Sequence, residues 1–337
     1  MKAVAYRQSL PIAEAQSLID LELPEPELRA NDLLVEVKAV SVNPVDTKVR
    51  RNVAPPEGQA KVLGWDAAGI VKAVGSAVSR FRVGDRVWYA GAIDRAGSNS
   101  ALQAVDERIV GPMPATLGFA EAAALPLTSI TAWELLFDRL GVPRDGGEGQ
   151  SLLIVGGAGG VGSVLTQITR RLTKLTVIAT ASRPETQAWC ADMGAHHVID
   201  HRQPLADELR RIGHAQVNLV ASLTATEQHY AALVEALVPQ GKLALIDDPA
   251  TPLDITALKR KSLSLHWELM FTRSLFQTPD MAAQHQLLGE VARLVDAGVL
   301  RSTVTERFGA LNAENLRRAH AWVESGRAIG KGVLEGF

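Results

Sequence analysis

The sequence predicts an α/β protein in which a doubly wound parallel sheet is joined to a smaller β-rich domain. Three observations carry that reading. Over residues 150–169, QSLLIVGGAGGVGSVLTQIT, an apolar run, a glycine-dense turn and a helix-forming segment follow one another. Strand-like and helix-like patterns then alternate as far as residue 269, as a parallel sheet with helical crossovers requires. The first hundred residues read instead as short strands separated by PEPEL, NP, PPEG and VGD turns, closer to a small irregular barrel. With 337 residues, a net charge of -2 and 47% apolar residues, the chain is long enough for two cored domains.

In chain order, residues 3–6, 33–42, 68–74 and 86–89 have the branched and aromatic composition of strands, and Gly75 and Gly84-Asp85 mark turns. From residue 117 the pattern is helical, broken once at Pro126, which lacks the N–H that a helix interior needs. Residues 151–155 are short, apolar and end at glycine, as a strand buried on both faces does. A helix follows from about Val161. Strands at 176–181, 197–199, 217–223, 242–246 and 263–269 then alternate with helices at 185–193, 205–212 and 227–238. Beyond Met270 the order is helix 281–297, strand 303–308, helix 312–326 and strand 331–334. This tail does not extend the parallel series and is expected to pack back on the N-terminal domain. The expected divisions are 1–123, 124–270 and 271–337.

Near-neutral charge without basic or acidic blocks gives no argument for nucleic acid or an anionic membrane as partner. No apolar leader opens the sequence, so a cytoplasmic location is expected. The single cysteine, Cys190, excludes an intrachain disulfide and any cysteine-cluster metal site.

The glycine-dense turn is the most informative stretch. A membrane span is excluded by its many glycines and its Ser, Thr and Gln content, and a flexible linker by its apolar flanks. Gly156 and Gly157 allow a tight turn, while Gly159, Gly160 and Gly162 let backbone approach a pyrophosphate at the N-terminus of the helix. The turn therefore reads as a dinucleotide cradle. An acid at the end of the second strand would favour a free ribose hydroxyl. Here the strand ends TVIATASRPE, with Thr180, Ser182 and Arg183 in that place. A hydroxyl beside a guanidinium suits a 2′-phosphate, so NADPH is expected over NADH.

These residues, together with SVNPVD at 41–46, LGWDAAGIV at 63–71, VGDRV at 83–87, LPLTSITAWE at 125–134 and GKGVLEGF at the end, resemble the medium-chain dehydrogenase/reductase superfamily. The resemblance covers the whole length and is nearest to the zinc-free quinone oxidoreductase branch and the zinc-type alcohol dehydrogenase-like proteins. It implies a GroES-like substrate domain built from both chain ends, a Rossmann domain between them, and an active cleft at their junction. For the cofactor it implies Thr128 near the nicotinamide and Gly157, Ala158, Gly159, Gly160 and Val161 at the pyrophosphate. Ser182, Arg183 and His201 would lie toward the adenosine phosphate, Leu223 and Thr224 at the fourth strand end, Asp247 after the fifth, and Lys331 near the nicotinamide. Some relatives pair along a Rossmann edge strand, which implies a homodimer.

Where zinc enzymes of this superfamily hold their catalytic metal, the matching positions are Asn43, Trp65 and the segment around Leu127. None offers a thiolate or imidazole, and Asp66 alone cannot build a three-ligand open site. Without a Lewis acid, the readier reaction is hydride delivery to an acceptor already activated: a quinone, an enal or an enone. Asn43, Asp46 and Lys48 are the expected catalytic residues, with Lys48 standing where many quinone reductases carry tyrosine. Trp65, Trp267 and Met270 are expected to line the acceptor site, the two indoles as a flat wall. Two alternatives stay open: a zinc-type alcohol dehydrogenase, and a low-turnover NADPH-binding redox sensor.

Overall fold

A computed structural model describes residues 1–337 as two compact units, Met1–Ile130 with Phe271–Phe337, and Thr131–Met270. The first crossing, expected at residue 123, thus falls at Ile130. No helix is long and apolar enough to cross a membrane.

The first unit opens with β1 (Lys2–Tyr6), β2 (Ile19–Glu22), β3 (Asp32–Ser41), helix α1 (Pro44–Asn52), β4 (Lys61–Val62), β5 (Ala67–Val74), β6 (Arg86–Tyr89), β7 (Leu102–Asp106), β8 (Val110–Pro112) and helix α2 (Phe119–Ala123). Strands β2, β1 and β4 form a small antiparallel sheet. Of these elements, β2, β4, β7, β8 and α1 were not expected from the sequence. Residues 44–52 read as a turn at Asn43-Pro44, yet they are helical. Pro44 sits in the first turn, where its fixed φ suits a helix and its missing N–H costs nothing. The Asp46 carboxylate accepts the Asn43 backbone N–H at 2.8 Å, and Arg50 and Arg51 close the negative end. Helix α3 (Pro126–Trp133) starts at the proline expected to interrupt the pattern, and Glu134–Arg139 continues it as a π-helical stretch.

The second unit holds β9 (Ser151–Val155), α4 (Gly160–Leu172), β10 (Thr176–Thr180), α5 (Pro184–Asp192), β11 (His197–Ile199), α6 (Leu205–Arg211), β12 (Val217–Ser222), α7 (Thr226–Ala236), β13 (Leu237–Leu245) and β14 (Ser264–Trp267). Its six strands run parallel in the order β11-β10-β9-β12-β13-β14. Consecutive strands run outward to one side of β9 and then to the other, which is the doubly wound arrangement read from the alternation. All five residues of β9 are buried at the sheet centre. The helix expected to reach residue 238 stops at Ala236, because β13 starts at Leu237 and pairs with Val217.

The chain returns to the first unit through α8 (Thr272–Leu275), α9 (Ala283–Asp296), β15 (Val304–Arg307), α10 (Ala313–Glu324) and β16 (Lys331–Glu335). The tail packs on the N-terminal strands, as expected. β16 lies antiparallel to β3, within a sheet of order β15-β16-β3-β5-β6-β8, and β7 also pairs with β3. This pairing carries Lys331 to the start of α1.

Candidate functional site

The glycine turn leaves β9 at Gly156, whose φ of +83° needs a residue without a β-carbon. Its N–H donates to Thr180 Oγ1 at 3.1 Å, and the Gly157 N–H donates to Thr180 O at 3.2 Å, tying the turn to the end of β10. A Cβ on Gly157 would sit 2.7 Å from Ala179 Cβ, and one on Gly162 would sit 2.4 Å from Gly156 O. Those glycines let α4 close onto the turn. At Gly159 the nearest atom would be 3.5 Å away, so that side of the turn has room. Gly157, Ala158 and Gly162 are buried, whereas Gly159, Gly160 and Val161 are half-exposed. The first N–H groups of α4 have no acceptor within the helix, and the positive end of its dipole lies at this half-exposed edge. The arrangement fits an anionic diphosphate.

Beyond β10, Arg183 contacts Glu185 at 3.3 Å, and its backbone is fixed by the Thr186 hydroxyl, which accepts the Arg183 N–H and donates to Arg183 O. Arg202, which sequence reasoning missed, donates to Ser182 O at 2.6 Å and pairs with Asp200. One guanidinium, that of Arg202, therefore stands by Ser182, and Arg183 follows Ser182 in sequence. His201 lies edge-on to His229 at 6.0 Å, its Nδ1 buried without a partner, and burial lowers the pKa of both imidazoles. Thr224 borders the turn: a Cβ on Gly156 would come within 2.9 Å of its methyl. Leu223 donates its N–H to Val155 O. Asp247 is already committed to capping α7, accepting both the N–H and the hydroxyl of Thr226. Cys190 is buried, its thiol pushed up to about 12 by desolvation, and so takes no part in thiolate chemistry.

In the first unit, Asn43, Asp46, Asp66 and Lys331 converge below the start of α1, each at most 3% exposed. Lys331 Nζ donates to Val42 O at 2.9 Å, to Asp66 Oδ2 at 3.0 Å and to Asn43 Oδ1. Asn43 Nδ2 donates to Asp66 Oδ2 at 2.9 Å and to Trp65 O at 3.2 Å. Asp66 Oδ1 accepts the Leu127 N–H at 2.7 Å. Burial pushes the carboxyl groups of Asp66 and Asp46 upward, Asp46 to about 7, while the nearby Lys331 charge opposes the rise. The Asn43 amide, expected to offer a hydrogen to a developing oxyanion, thus has both hydrogens engaged.

Lys48 is half-buried on α1 outside these bonds, and Thr128 is buried on α3, its hydroxyl donating to Leu125 O at 3.0 Å. Trp65 is a core residue. It is wholly buried, donates its indole N–H to Ala92 O at 3.3 Å and lies edge-on to Phe271, so it has no face free to form a wall. Trp267 is 52% exposed and does have one, whereas Met270 is buried. Sequence reasoning also passed over a second buried cluster. Glu134, in the π-helical stretch, and Glu268, just past β14, both lie against the Arg139 guanidinium. Arg139 donates to Glu268 at 2.8 Å and lies 3.8 Å from Glu134. Burial and the neighbouring carboxylate push Glu268 up to about 9.

The first-unit network does not fit a catalytic zinc ion. Its donors are one amide, the carboxylates of Asp66 and Asp46 and backbone carbonyls, and an ammonium lies among them. No three His, Cys, Asp or Glu side chains converge anywhere in the chain, and catalytic zinc takes three such ligands with a fourth position open.

The sequence matches the profile of the alcohol dehydrogenase GroES-like domain over residues 29–133 and that of the zinc-binding dehydrogenase over residues 193–334. A zinc-type alcohol dehydrogenase-like protein of Staphylococcus aureus is 39% identical over 99% of both chains. The chloroplastic NADPH-dependent alkenal/one oxidoreductase of Arabidopsis thaliana is 34% identical over 55% of this chain and 48% of its own length. Among solved structures, a proposed zinc-dependent alcohol dehydrogenase from Rhizobium etli CFN 42 superposes with a TM-score of 0.96 and 58% identity, covering 100% of this chain and 98% of its own. The Escherichia coli quinone oxidoreductase complexed with NADPH gives a TM-score of 0.84 at 25% identity, covering 99% of this chain and 100% of its own.

Proposed function

The chain belongs to the medium-chain dehydrogenase/reductase superfamily of oxidoreductases, and from that premise we propose that it reduces a quinone or an α,β-unsaturated carbonyl with NADPH and no catalytic metal. The observation that carries the proposal is the glycine turn, whose half-exposed edge meets the N-terminus of α4, while the Ser182 carbonyl accepts from Arg202, Arg183 follows it, and residues 176–183 carry no acid. The quinone oxidoreductase and the alkenal/one oxidoreductase among the relatives support this acceptor class.

When bound, the reduced nicotinamide would supply the hydride. The backbone at Gly157, Ala158, Gly159, Gly160 and Val161 would hold the pyrophosphate. Ser182, Arg183 and Arg202 would hold the 2′-phosphate, with His201, Leu223 and Thr224 along the adenosine side. Asp247 would act through α7, which it caps. An enal, enone or quinone carries its own electrophilic carbon, so the protein needs only to orient the acceptor and stabilise the oxygen that gains charge. Trp267 would offer a flat surface to a planar acceptor. Because the Asn43 amide is engaged by Asp66 and Trp65 O, Asn43 and Asp46 are assigned to ordering the start of α1. Lys48 is the group assigned to donate toward the acceptor oxygen.

Saturation of Asn43 favours one second reading, an NADPH-binding redox sensor with little turnover. A panel of quinones, enals and enones separates the two. Steady oxidation of NADPH by at least one class supports the reductase, and binding seen by fluorescence without oxidation supports the sensor. For the reductase, Lys48→Met should lower kcat and leave the KM for NADPH unchanged; unchanged kcat would remove Lys48 from the mechanism. Location in the cytoplasm and pairing of two copies along a sheet edge belong to the same proposal.

A further inference from the structure

The family profile is named for zinc, and a close structural relative is described as zinc-dependent, yet the place where this chain could seat a metal is filled by its own side chain. An ammonium has three N–H bonds to give, and Lys331 gives all three to oxygens of different kinds: the Val42 carbonyl, the Asn43 amide and the Asp66 carboxylate. Those acceptors come from the end of β3, the start of α1 and the loop before β5. The other Asp66 oxygen takes the backbone N–H of Leu127 in α3. One cation therefore fastens segments far apart in sequence. Three oxygens converging on one buried position form a shell for a hard monovalent cation, and zinc prefers nitrogen and sulfur ligands.

We infer that Lys331 is the resident cation of this site: its ammonium holds Asp66 and the Asn43 amide in place, and it closes the position to zinc. Lys331 is thus a positioning residue acting through Asn43 and Asp66. The inference deepens the metal-free part of the proposed function and rests on that reading only for its kinetic arm.

The test uses the full chain, dialysed against a chelator and then equilibrated with Zn(II) alone. Wild type is expected to keep well under one zinc per chain, with its unfolding temperature unmoved. Lys331→Ala leaves Asp66 buried and unpaired, and its unfolding temperature should fall by roughly 10 °C. Methylammonium should recover part of that loss by entering the vacated shell, whereas tetramethylammonium, too large and unable to donate, should not. Stoichiometric zinc in wild type, or equal effects of the two ammonium ions on Lys331→Ala, would overturn the inference. If Lys331→Ala does not fold, the double variant Asp66→Asn with Lys331→Met, which removes both charges, should fold, and its failure to do so would also overturn it. That double variant should lose about tenfold or more in kcat while keeping the KM for NADPH; an unchanged kcat would reduce Lys331 to an ordinary structural ion pair. A wild-type chain that fails to oxidise NADPH with any quinone, enal or enone of the panel would sink the proposed function instead, and the zinc and methylammonium arms would then decide this inference alone.

Discussion

Asp66 and Glu268 are both carboxylates buried to within 3% of complete enclosure, one in each unit, and their surroundings differ in hydrogen bonding. Asp66 faces three donors, one of them an ammonium. Its cluster holds a second acid, Asp46, whose carboxylate accepts the Asn43 backbone N–H, and every hydrogen of the lysine is used. Glu268 faces a second acid across a single arginine. Two acids over one cation leave a surplus negative charge, which burial makes costly, so a proton takes up the difference. Asp46 meets the same excess in the first unit, so the contrast lies in hydrogen bonding: both Asp66 oxygens have donors, whereas Glu268 Oε1 is buried without one.

The largest expected effect comes from breaking the Asp66–Lys331 pair. Asp66→Ala takes the paired carboxylate from a buried ammonium that keeps only the Val42 and Asn43 oxygens as acceptors, and should cost about 3–5 kcal/mol in urea unfolding; a loss below about 1 kcal/mol would mean the pair holds nothing. The next effect separates the clusters by pH. Glu268 lies at about 9 against an ordinary 4.5, so the stability due to its proton is whole below pH 4.5 and lost as pH rises through 9. Asp46, at about 7, adds a slope of the same sign that ends near neutrality. Unfolding free energy should therefore decline from pH 6 to 10 in wild type and decline less in Glu268→Gln, which stays neutral; parallel curves would refute the raised pKa of Glu268.

His320 gives a limb of opposite sign. Wholly buried, and accepting from Arg50 Nε at 3.3 Å, it is pushed down to about 3, chiefly by desolvation. Its contribution is whole above its ordinary value of 6.5 and is lost as pH falls toward 3. His320→Asn keeps an acceptor for Arg50 without titrating in that window, and should flatten the acid side of the stability curve. A smaller effect tests the second unit as a ligand site. Arg183→Ala should raise the KM for NADPH about tenfold, near 1.4 kcal/mol, with little change for NADH; equal changes would contradict the 2′-phosphate assignment. Least of all, Glu268→Gln at pH 7 should cost under about 1 kcal/mol, because it copies the protonated form.

The two units were not equally legible in the sequence. The parallel sheet was, because each strand is a short apolar run bounded by turn residues, and because glycines at 156, 157 and 162 mark a turn against which a helix must pack closely. The β-rich unit was read only in part. β8 is VGP, with glycine and proline in a three-residue strand, and β4 has two residues, too short for alternation to register. Helix α1 was hidden by β-branched Val45, Thr47 and Val49 behind an Asn-Pro turn signal, and becomes visible only once Asp46 is seen to cap Asn43. The buried networks were harder still. Lys331 lies 265 positions from Asp66, and no local pattern announces a contact made by antiparallel pairing of β16 with β3. Glu134 and Glu268 did leave a trace, each standing as a lone acid in a Trp-Glu-Leu triplet within apolar sequence. A charge in such a run asks for a buried partner.

The most direct test of the account is stopped-flow oxidation of NADPH by an accepted quinone or enal, using chelator-dialysed protein whose zinc content has been measured. The account predicts full turnover without zinc and no gain when zinc is restored. Turnover that is absent from the metal-stripped chain and returns with one zinc per chain would contradict it.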